Sequence, residues 1–76
     1  MSEAYILLNV NYKDQQRIIE EAKKVSFVKA VKSVYGIYDI IVILESDNLQ
    51  ELKNAIDVNI SNIKGITNLT TIISVT

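Results

Sequence analysis

The residues best arranged for chemistry form one short run, Tyr35-Gly36-Ile37-Tyr38-Asp39. A glycine leaves backbone N–H groups exposed, and such amides can hold the carboxylate of a small ligand. Asp39, fixed beside them, can pair with an ammonium group. Together these match the charge layout of a zwitterionic amino acid. The same residues also make an ordinary hairpin, with Gly36 supplying a positive φ and Asp39 bonding local amides. On the residues alone both readings stand.

Other chemistry is thinly provided. The 76-residue chain has no His and no Cys, so neither a thiol nucleophile nor an imidazole base is present to activate Ser, Thr, Tyr or Lys. Disulfides, zinc–thiolate sites and the commonest metal ligand go with them. Glu20, Glu21 and Glu45 read as helix surface and strand end, and Asp14, Asp47 and Glu51 as helix caps. Gly36 and Gly65 are far apart, so no phosphate-cradling loop exists. A non-enzymatic protein without cofactor or metal is expected.

The net charge is −1, and Lys23, Lys24, Lys29 and Lys32 are spread over a helix end and an outer strand. No concentrated basic face is offered to nucleic acid. Tyr5 is the one aromatic on a central strand, too little for stacking RNA bases. No apolar run reaches the roughly 20 residues of a membrane span, and no secretory signal opens the chain. The expected location is cytoplasmic.

These residues must be positioned by one small domain. Ala4 to Val10 reads as a strand with Ala4, Ile6, Leu8 and Val10 on one face and Tyr5 and Leu7 on the other. Asn11, with Asp14 three residues on, has capping-box spacing. A helix to about Lys24 follows, its buried stripe being Ile18, Ile19, Ala22 and Val25. Strands are expected over Phe27–Tyr35, Asp39–Glu45 and Leu69–Val75. Between the last two, Ser46-Asp47-Asn48 opens a helix with the stripe Leu49, Leu52, Ile56, Ile60 and Ile63, stopped at Lys64-Gly65. The order βαββαβ points to an α+β ferredoxin-like plait with antiparallel sheet order 4-1-3-2. The whole chain, 1–76, is a single domain.

Two helices cover one face of such a sheet. Yet both faces of both central strands are aliphatic: Ile40, Val42 and Leu44 alternate with Ile41 and Ile43. A solvated sheet face should be polar. The surplus face, with Tyr5, Leu7, Ile41 and Ile43, is expected to pair with a second copy in the manner of a dimeric α/β barrel. Burying roughly 400 Å² per subunit would contribute on the order of 10 kcal/mol before association costs. A chain this short needs such a remedy. An enzyme using a barrel cavity would need polar groups there, and Asn9, Thr71 and Ser74 are nearly all the sheet has.

Three stretches together carry a resemblance: Ala4-Tyr5-Ile6-Leu7, Tyr35-Gly36-Ile37-Tyr38-Asp39-Ile40, and Ile63-Lys64-Gly65-Ile66 followed by Thr71-Ile72-Ile73. The chain resembles the C-terminal effector-binding (RAM) domain of Lrp/AsnC family regulators. The resemblance implies a homodimer through the sheets, assembly into higher oligomers such as an octameric ring, and a small amino-acid effector bound between dimers. It implies that Gly36, Ile37, Tyr38, Asp39 and Thr71 face that effector. Ile37 replaces a frequent acidic residue, and Leu69 stands where the family's first threonine would be. No helix-turn-helix domain accompanies these residues, so direct DNA binding is not expected. The expected function is a regulatory module acting on Lrp/AsnC-type transcription, in some cases by co-assembly with a full-length regulator. The alternative is a ligand-free adaptor.

Overall fold

Alternation along the central strands sorts the residues between two faces of the sheet. The computed structural model describes residues 2–75. In β1 (Ser2–Val10) Ala4, Ile6 and Leu8 are fully buried while Tyr5, Leu7 and Asn9 are half-buried. β3 (Ile40–Ser46) repeats the pattern, with Ile40, Val42 and Leu44 inside. The outer strands are β2 (Val28–Ser33) and β4 (Ile66–Val75). All pairs are antiparallel in the order β2-β3-β1-β4, the expected 4-1-3-2 read from the opposite edge.

Both helices lie on the Ile6 face. α1 (Gln15–Lys23) buries Ile18 and Ala22; α2 (Leu49–Asn54) and the π-helical turn that continues it, Ala55–Ile60, bury Leu52, Ala55, Ile56 and Ile60. Each fully buried Ile or Leu contributes roughly 1.5–3 kcal/mol through removal from water. The π turn has a reading in the sequence. Leu52, Ile56 and Ile60 recur every four residues, which overruns the roughly 3.6-residue α-helical turn, and a wider coil returns Ile60 to the sheet.

Four local expectations need correction. Asn11 makes no side-chain cap: a 3-10 turn over Tyr12–Asp14 precedes α1, and Asp14 turns instead to Arg17. β2 is shorter than Phe27–Tyr35, because Phe27 sits at φ +72°, outside the strand region. Gly65 does have positive φ (+103°), but it stands at the entry to β4 rather than at the helix end. β4 starts at Ile66 rather than Leu69.

Candidate functional site

β1 outruns its partner β3 at the hairpin end. The β1–β3 ladder stops at Leu8↔Ile40, and the β1–β4 register slips between Asn9 and Val10. Asp39 fills the gap. Its backbone N–H donates to the Leu8 carbonyl at 2.9 Å, and its Oδ2 accepts from the Val10 N–H at 3.0 Å. One residue thus prolongs the ladder, with backbone on one side and carboxylate on the other. Among the described residues only Oδ2 of that carboxylate takes a hydrogen bond.

The loop beyond β2 is closed by Val34 N–H donating to the Asp39 carbonyl at 2.9 Å. Gly36 is at φ +117°, where L side chains are strained, and apart from its two chain neighbours no residue comes within 4 Å of where a Cβ would stand. Tyr35 and Ile37 flank it fully exposed. Asn9 Nδ2 donates to the Ile37 carbonyl at 2.7 Å, holding the loop over the end of β1. Tyr38 reaches across β1 so that its hydroxyl lies 3.4 Å from Thr70 Oγ1.

Gly36, Ile37, Tyr38 and Asp39 lie together in this one hairpin. Thr71 does not join them. It pairs with Ile6, which puts it on the helix side of the sheet, whereas Thr70 pairs with Leu7 on the open side beside Tyr38. Asn9 and Asn68, joined at 3.4 Å, are further hairpin neighbours; of the two, only Asn9 stands out in the sequence, as a polar group on a central strand. The β1 alternation alone puts Asn9 on the open face, whereas Asn68 precedes the strand expected over Leu69–Val75.

Tyr5, Leu7, Ile41 and Ile43 all lie on the open face, half-buried by one another through the pairs Tyr5↔Ile43 and Leu7↔Ile41. Ile72, paired with Tyr5 and 52% exposed, extends the patch. Its rim carries Lys29 and Glu45 at 2.7 Å, and this hydrogen bond raises the Lys29 pKa above its ordinary value. A surface depression of about 530 Å³ lies between the helices, lined by Glu21, Lys24, Val58 and Asn62, away from the hairpin. Among the described residues no cluster of acidic, His or Cys side chains could hold a metal. No helix among them is long and apolar enough to cross a membrane.

The family model described as the Lrp/AsnC ligand binding domain matches residues 3–76. Among solved structures, the chain is similar to the protein FFRP-DM1, with 31% identity, TM-score 0.89, and 99% of this chain and 100% of that one covered. It is similar to the hypothetical protein PHS023 of Pyrococcus horikoshii, with 30% identity, TM-score 0.91, and coverage of 100% and 92%. The fold alone is shared with the transcriptional regulator NMB0573 of Neisseria meningitidis, solved as an L-Met complex: 9% identity, TM-score 0.82, covering 99% of this chain and 50% of that one. Comparison with curated proteins gives no match. A family match over nearly every residue, with two relatives of this identity covered almost end to end, makes the chain a member of the Lrp/AsnC ligand-binding domain family.

Proposed function

We propose that this domain binds a free amino acid at the Gly36–Asp39 hairpin, within an assembly closed through the open sheet face, and that occupancy biases transcription regulation. The observation that carries the reading is the Asp39 anchor. Two bonds to β1 hold its carboxylate still beside a glycine with open space around it. Oδ1 can then receive an ammonium group while hairpin amides receive a carboxylate. Support comes from the family's description as ligand-binding and from the methionine complex of the Neisseria regulator. The reading is non-catalytic. The assembly it uses is a homodimer that builds larger rings or joins a full-length regulator.

A second reading has its own observation. The Asp39–Val10 bond is what a purely structural hairpin needs, and an adaptor that binds no ligand would keep it. A thermal-shift screen of the common amino acids separates the two. Ligand at about 100 times its Kd adds roughly 2.7 kcal/mol, several degrees or more for a domain this small. The Asp39→Asn variant keeps an oxygen to accept from Val10 but removes the charge. It is expected to fold normally and lose the response, whereas Asp39→Ala loses the response and loosens the hairpin as well. Silence toward every amino acid in the unaltered protein hands the hairpin to the adaptor reading.

A further inference from the structure

On the helix side of the sheet, the depression between the helices has a neighbour. A second hollow of about 260 Å³, lined by Phe27, Glu51, Asn54 and Ala55, shares Ser26, Val58 and Asn59 with it. The two form one groove along α2 and its π turn, from Glu51 to Asn62. At about 1.5 Å per residue it is roughly 16 Å long, the span of about five extended residues. Val25 and Val58 give it an apolar stretch.

Two departures from regular backbone shape this groove. The first is the π turn. Residues five apart stand about 140° apart around an α-helix, on different faces. A coil closed by i→i+5 bonding, as from Ser61 N–H to the Ile56 carbonyl at 3.0 Å, brings them nearly into line. Asn54 and Asn59 thereby line the same hollow, roughly 7 Å apart along it. Neither amide has a hydrogen-bond partner among the described residues. The second is Phe27. Val28 N–H donates to the Val25 carbonyl at 3.3 Å, closing a turn whose third residue, Phe27, stands at φ +72°, a place that favours glycine. The N–H groups of Ser26 and Phe27 have no partner among the described residues. One wall of the groove thus carries free backbone donors, and the other carries two amides that each donate and accept.

We propose that this groove binds an extended peptide segment of a partner protein, with a basic residue over Glu51 and an acidic one over Lys24. An extended segment leaves a carbonyl and an N–H open at every residue, which suits free amide donors facing paired carboxamides. A helix keeps those groups to itself, and a second copy of the groove, concave and rich in the same donors, cannot fill it. Two residues of a strand advance about 6.8 Å, close to the spacing of Asn54 and Asn59, so both amides meet the same edge of the peptide backbone. An aliphatic side chain of the peptide then fills the space beside Val25 and Val58. Glu51 and Lys24 border opposite ends of the groove and stand in no ion pair among the described residues, whereas Glu21 is already taken by Arg17.

The test is selection from a displayed library of random linear seven-residue peptides on the intact 76-residue chain, with enriched peptides synthesised and titrated by fluorescence anisotropy. Enriched sequences are expected to carry a basic residue, an aliphatic one and an acidic one in that order or its reverse. Val58→Glu and Asn59→Leu, both at exposed positions, should melt like the parent and weaken those peptides roughly tenfold or more. Lys24→Glu should weaken them too, and exchanging the peptide's acidic residue for lysine should restore binding, a rescue that a folding defect would not show. A library that enriches nothing overturns the proposal. So do enriched peptides whose affinity none of the three variants changes, and so does a consensus of aliphatic residues at three- and four-residue spacing, the mark of a bound helix.

Discussion

Gly65 and Gly36 both sit at positive φ, yet their surroundings differ. A Cβ on Gly65 would stand 3.0 Å from Arg17 Nη2 and Asp14 Oδ2 and 3.1 Å from Asp14 Cβ, while one on Gly36 would meet nothing within 4 Å. The crowding has a purpose: Arg17 Nη2 donates to the Lys64 carbonyl at 2.6 Å, and Nη1 donates to Glu21 at 2.5 Å. Glu21 and Asp14 raise the Arg17 pKa, but exposed ion pairs of this kind add little stability. The bond to a backbone carbonyl ties the start of α1 to the entry of β4. Gly36→Ala should therefore cost about 1 kcal/mol, for backbone strain alone. Gly65→Ala should cost about 2–3 kcal/mol, with crowding added to strain. Urea unfolding of the two variants gives the order, and Gly36→Ala proving the costlier would refute the crowding argument.

At the scale of elements, two Asn residues with similar sequence surroundings behave differently. Asn48 caps α2, its Oδ1 accepting from Gln50 N–H at 2.9 Å and Glu51 N–H at 3.2 Å. Asn11 instead offers its backbone carbonyl to Asp14 N–H at 2.9 Å across the 3-10 turn. Asn48→Ala should then lower stability by about 1 kcal/mol, a melting shift of roughly 4–8 °C, and Asn11→Ala should change it hardly at all. Calorimetry of both variants checks the pair. Cap spacing is a local signal, and it held where nothing competed for the side chains. It failed at Asn11 because Asp14 was drawn to Arg17, a contact completed by the distant Lys64 carbonyl. The Phe27 conformation at φ +72° has no signal in the residues around it; its carbonyl accepts from the Glu45 N–H of β3.

For the whole molecule, the βαββαβ order was enough to set strand order, and the alternation of Ile40–Leu44 and Ala4–Leu8 to set both faces of the sheet. The open patch follows from it, and Ile43→Lys should set a charge near its centre. Light scattering should then report a smaller species than the parent, with the melting curve still cooperative; an unchanged mass would move the contact elsewhere. The hairpin was half legible. Gly36 and Asp39 stood out by residue type, but the choice of Thr70 over Thr71, and the parts played by Val10, Asn9 and Asn68, depend on pairings across 28 or more residues of chain.

Strand order also constrains when the sheet can be assembled. β1 is made before the other strands, yet its two neighbours begin at Ile40 and Ile66. A growing chain at roughly 5–20 residues per second leaves β1 without either flank until β3 emerges, and without the second until the domain is almost finished. Closing such distant pairs slows folding relative to a chain of local contacts. Throughout that interval an aliphatic strand waits with both edges unsatisfied, which makes the newborn chain, more than the finished one, the form most in need of protection from its own kind.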